Sequence, residues 1–113
     1  MPTTSPAVPP VSPAFRIDRF DVPRAALAPF MARLKNTQNL LGGFEGCRQN
    51  LVLQGPAQGD SIAVVTVVEW ASEDAMAAAK AAMQAHYARE AFEPAAFMQA
   101  LGVRPDLAVY HPA

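Results

Sequence analysis

Two side chains of this 113-residue sequence can exchange a proton near neutral pH, and a third can wall a small pocket. His86 carries an imidazole, the side-chain type most often used to pass a proton. Asp18 would do so only where burial lifts its carboxyl, and Arg16, two positions earlier on the same side of an extended segment, is placed to pair with it. Trp70, the only tryptophan, ends the β-branched run Ser61 to Trp70, just before Ser72-Glu73-Asp74 opens an Ala-rich helix. An indole at that junction offers a large rigid apolar face and one N–H donor. The plainer roles are core packing for Trp70, a satisfied helix-edge position for His86 and a solvated strand end for His111.

Other chemistries lack their residues. The two histidines and Cys47 are too dispersed for zinc-ligand spacing, and no glycine-rich phosphate loop follows a strand, so neither a metal nor another cofactor is expected. Gly43-Phe44-Glu45-Gly46 carries an acid and precedes a strand, which makes it a turn rather than a nucleic-acid clamp. A formal net charge of −1 with scattered Arg and Lys gives no basic stripe, so nucleic acid is not an expected partner. No stretch approaches the roughly 20 apolar residues of a membrane span, and the start of the chain lacks the basic, then apolar, pattern of a signal peptide. With a lone cysteine, these features lead to the expectation of a cytoplasmic protein without a membrane partner.

The elements that must position these groups follow from periodicity. Residues 1–14, with Pro2, Pro6, Pro9, Pro10 and Pro13 and no charge, read as an extended tail before a single domain over 15–113. Phe15 to Val22 has strand character. Pro23 suits a first helical position, and Leu27, Phe30, Met31, Leu34 and Gln38 recur on one helix face, with Pro29 either separating the first turn or kinking the axis. Gly42 to Gly46 breaks the chain; Cys47 to Gln54 forms a second strand, 55–60 a hairpin connection, and Ser61 to Trp70 a third strand. A helix from Asp74 to about Glu90 aligns Met76, Ala79, Met83, Tyr87 and Glu90, with His86 at the flank. Pro94 to Leu101 is a short helix ending at Gly102, and Leu107 to His111 a last strand. The order is ferredoxin-like α+β, βαββαβ, an antiparallel sheet with its helices on one face. Strand three is apolar on both faces, so the side away from the helices is expected to pack on a second copy, giving a homodimer.

The strand entering Val22-Pro23, the Gly43-Phe44 turn before strand two, and Val68-Glu69-Trp70 running into Ser72-Glu73-Asp74-Ala75-Met76 resemble the antibiotic biosynthesis monooxygenase family. These are small dimeric α/β barrels related to quinol monooxygenases, and the likeness spans roughly residues 15 to 111. It implies a cofactor-independent monooxygenase that oxidises a quinol-like or polycyclic aromatic with O₂. Trp70 would then be the stacking wall, Thr66 a hydrogen-bond partner where family oxygenases often carry Asn, and Met76, Met83 and Tyr87 the lid. His86 is the first choice of base and Asp18 the second. An accessory protein binding the same molecule without chemistry, or a non-redox isomerase, fits the same residues. Haem degradation fits less well, since Ala78 and Ala79 fill the helix where haem-degrading relatives carry a Trp.

Overall fold

A computed structural model describes residues 12–113. Apart from its last three residues, the expected extended tail lies outside the described residues. Strand β1 spans Ala14–Pro23. Ala14 is fully buried and lies opposite Trp70 in the sheet register. Pro23 closes the strand with an extended backbone instead of opening the helix, and Arg24–Ala26 makes a separate 3₁₀ turn before helix α1, Leu27–Gly42. Of the two outcomes foreseen for Pro29, the chain takes the separate first turn. Pro29 thereby falls in the opening turn of α1, where its missing N–H has no helical partner to lose. Phe30 and Gln38 are buried as the helical spacing demands, with Leu27, Met31 and Leu34 packed beside them.

Strand β2, Cys47–Gln58, runs on past Gln54. Gly55-Pro56, expected in the connection, sits inside the strand where the register shifts between Gln54 and Ala57. A bulge on an edge strand is one of the few sheet positions that tolerates proline. The turn shrinks to Gly59-Asp60, with Gly59 at φ +60°, a left-handed conformation suited to a two-residue hairpin. Arg24 clasps this tip: its backbone N–H donates to the Asp60 carbonyl at 2.8 Å and its Nε to the Gly59 carbonyl at 3.0 Å.

Strand β3 is Ser61–Trp70, as expected. Helix α2, Glu73–Arg89, starts at Ser72, whose Oγ accepts the Ala75 N–H at 3.1 Å, and carries Glu73 and Asp74 at its positive end. Helix α3 is Pro94–Leu101, ended by Gly102 at φ +73°. Strand β4, Arg104–Tyr110, begins before the expected Leu107 because an edge strand admits Pro105.

The four strands lie in the order β2-β3-β1-β4, every neighbour antiparallel, which is the ferredoxin-like arrangement. Even-numbered residues of β1 and β3 face the helices. Phe20, Val22 and Val64 join Ala26, Phe30 and Val103 in the main core, while Val68 and Trp70 join Ala79 in a second cluster. Phe15 and Ile17 of β1, with Val65 and Val67 of β3, lie on the other face. That face carries no helix, and Leu51, Leu53 and Tyr110 are exposed there. Among the described residues no helix is long and apolar enough to cross a membrane.

Gly46 locks the second cluster to the start of α2. It stands at φ +86°, its carbonyl accepts the Ala71 N–H at 2.7 Å, and a Cβ added there would lie 2.6 Å from the Ala75 Cβ. Gly46→Ala is therefore expected to cost about 1–3 kcal/mol from backbone strain alone, with the clash adding to it. Urea denaturation measures this, and an unchanged midpoint would contradict it.

Candidate functional site

Sheet register gathers the candidate residues into two adjacent rows on the helix-facing side. Across β4, β1 and β3, Leu107, Asp18 and Thr66 stand side by side; in the next row are Val109, Arg16 and Val68. Arg16 Nε donates to Asp18 Oδ1 at 2.6 Å. The Asp18 side chain is 16% exposed. Burial pushes its carboxyl above the ordinary value of 3.8, only partly offset by the Arg16 hydrogen bond and charge and by the backbone at Ala108. Thr66 is buried opposite it. Leu107 and Val109 remain 48% and 42% exposed although they share the helix-facing side, so the sheet edge beside the ion pair is an uncovered apolar strip.

Trp70 is buried, packed against Val68 and Ala79, with Phe44, Cys47 and Met76 around it. Burial pushes the Cys47 thiol up, away from thiolate chemistry, and the cysteine serves as a packing group. Met83, one turn beyond Ala79, is buried as the helical stripe requires.

His86 and Tyr87 stand elsewhere. From Ala79 to His86 the helix rises about 10 Å over two turns, which leaves the imidazole near the Ala79–Met83 stripe but at the far end of α2. Its Nε2 lies 3.5 Å from Glu90 Oε1, which also pairs with Arg33 of α1. The Arg33 guanidinium stacks 3.4 Å from the centroid of Phe92, and the Tyr87 hydroxyl is 3.4 Å from Thr37 Oγ1. These groups form an interhelical cluster separate from the one that holds Trp70. The structure thus unites Asp18 with Thr66 and Trp70 with Met76, while His86 lies beside Glu90.

Two features had little sequence signal. Arg33 lies far in sequence from Glu90 and Phe92 and meets them only through helix packing. Gln38 was legible as a buried helix position, but not its partner: Gln38 Nε2 donates to Asn50 Oδ1 at 2.6 Å, and Asn50 Nδ2 donates to the Gln38 carbonyl at 2.6 Å. These amides border a concavity of about 230 Å³ with Lys35, Asn39 and Val52; another, of about 200 Å³, lies on the helix-free face beside Arg19, Asp21 and Ser61. Neither borders Trp70, Thr66 or Asp18; beside Asp18 the exposed Leu107 and Val109 leave an open strip along β4 and β1. Among the described residues no three His, Cys, Asp or Glu side chains converge.

A four-stranded antiparallel sheet in ferredoxin-like order with its helices on one face defines the structural class, and solved structures share this fold. A crystal structure of a candidate monooxygenase from Shewanella loihica PV-4 superposes with a TM-score of 0.66 at 20% identity, over 90% of this chain and 95% of that one. SnoaB, a cofactor-independent oxygenase from Streptomyces nogalater, gives 0.63 at 16% identity over 91% and 95%. A dimeric ferredoxin-like protein from an uncultured marine organism gives 0.69 at 11% identity over 90% and 96%. No family model and no curated protein sequence matches the chain. The fold is therefore the one implied by the resemblance to antibiotic biosynthesis monooxygenases.

Trp70→Phe tests the wall. The ring keeps most of its apolar contact, so stability should fall by less than about 1.5 kcal/mol, whereas loss of the wider indole face should weaken binding of a stacked aromatic by roughly 1–3 kcal/mol. Parallel melting and ligand titration check both; equal loss in the two would make Trp70 a packing group only.

Proposed function

We propose that the chain is a cofactor-independent monooxygenase, working as a homodimer, that oxidises a quinol-like or polycyclic aromatic with O₂ on the helix-facing side of the sheet. The observation that supports it best is the partly buried Asp18 carboxyl, raised by desolvation, beside Thr66 and the uncovered Leu107–Val109 strip. In this reading Asp18 takes the phenolic proton, Thr66 holds the resulting oxyanion, and Met76 and Met83 close the apolar side with Trp70 as the wall. The bound anion then gives an electron to O₂ directly. For an anthrone, the methylene becomes a carbonyl and the second oxygen atom leaves as water, so no external reductant is needed. The fold shared with a cofactor-independent oxygenase and with a dimeric protein agrees with both parts of the proposal. The lone thiol of Cys47 suits a reducing cytoplasm.

The test is oxygen uptake with a panel of hydroquinones and anthrones, run beside anaerobic binding titrations. Uptake matched by oxidised product supports the proposal. Binding without uptake makes the protein a ligand carrier, and conversion of a carbonyl compound without oxygen makes it an isomerase. His86→Ala is expected to change stability by no more than about 0.5 kcal/mol and to leave uptake intact, because its partly exposed imidazole lies beside Glu90 near the end of α2. Lost uptake with retained binding in that variant would move the base from Asp18 to His86.

A further inference from the structure

We propose that Arg16 determines specificity, holding a carboxylate carried by the aromatic molecule. The inference rests on the reading of the helix-facing strip as the binding site. Among the described residues only the Nε of Arg16 is engaged, by Asp18, and the side chain keeps 32% of its surface exposed. Its two terminal nitrogens are left without a protein acceptor among those residues. Other arginines differ: Arg33 is tied to Glu90 and stacked on Phe92, Arg24 is spent on the hairpin tip, and Arg19 stands on the opposite face of the sheet.

The surroundings of Arg16 match an amphiphilic anion. Val109 beside it and Leu107 one row away offer an apolar bed, while buried Val68 flanks it on the other side. A guanidinium steadied through Nε has lost much of its rotamer freedom already, so its remaining edge is prepared for a planar two-oxygen acceptor. Such charge-assisted paired hydrogen bonds are among the stronger polar contacts available to a protein. A molecule with a flat ring and an adjacent carboxylate would lay the ring along Leu107 and Val109 and its acid on Arg16.

Three probes separate the possibilities: 1-hydroxy-2-naphthoic acid, its methyl ester and 1-naphthol, each titrated at pH 7.5 in low salt and followed by intrinsic fluorescence. The acid should bind wild type about tenfold more tightly than the ester, a difference of about 1.4 kcal/mol. Arg16→Gln should erase the gap, with an unchanged far-UV circular dichroism spectrum showing that the variant is folded. Arg16→Lys should retain part of the preference, since it keeps the charge and loses the fork. Equal binding of acid and ester by wild type, or a gap that survives Arg16→Gln, overturns the role of Arg16 while the aromatic site stands. Failure of all three compounds to bind overturns the site itself.

Discussion

Asp18→Asn should lower oxygen uptake on the order of 10²–10⁴-fold, the span over which a positioned general base acts, while the protein remains folded and still binds its aromatic. The amide matches the carboxylate in shape and can still accept the Arg16 Nε–H, so what is lost is the capacity to take a proton. Stability provides a second readout. Raised in the fold above 3.8, Asp18 holds its proton more tightly in the native than in the unfolded chain. Its contribution to stability is fully present below the unfolded value and is lost as pH rises through the folded value. Asparagine undergoes no such loss. The stability of Asp18→Asn relative to wild type should therefore increase from pH 3 to pH 8, as measured by urea denaturation at both. An inactive variant with the opposite pH trend would mean that Asp18 serves mainly as the ionised partner of Arg16.

Val67→Asp should separate the proposed dimer. Val67 lies on the helix-free face between Ile17 and Leu51 in the register, at the middle of the apolar surface. In a two-fold interface one substitution enters twice, and burying an unpaired carboxylate costs several kcal/mol. Two such charges should raise the dissociation constant by roughly 10³-fold or more on the scale of tenfold per 1.4 kcal/mol. Light scattering at micromolar concentration should give twice the 12.0 kDa chain mass for wild type and the single mass for the variant. A wild-type monomer would leave the apolar face without a partner and refute the dimer.

Periodicity made the fold readable. The β-branched run Ser61–Trp70 and the helical spacing from Leu27 to Gln38 appear in the structure as a strand and a helix with alternating and periodic burial. Boundaries shifted where proline had an exemption that composition does not reveal: Pro56 at a bulge and Pro105 on an edge strand both extended strands through positions that read as connections. The site was legible in its parts and less so in its assembly. Arg16 and Asp18 were recognisable as a pair because they lie two apart on one strand. That His86 would share Glu90 with Arg33 of α1 depended on how the two helices meet. Those contacts arise from tertiary packing, which one chain's spacing does not encode.

The two-residue turn at Gly59-Asp60 also sets an order of assembly. β2 and β3 are joined by the shortest connection in the sheet, so their pairing requires little loop closure and can form on the microsecond scale of a hairpin. β4 must instead find β1 from the opposite end of the described chain, pairing Phe15 with Tyr110. Such remote pairings close last and open first. The edge that carries Leu107 and Val109 is thus the final piece of the sheet to dock, and amide hydrogens of β4 should exchange well before those of β3. A molecule lying across β1 and β4 would hold this late-closing edge to the rest of the sheet, so its binding should slow exchange most at β4, far more than in the β2–β3 hairpin.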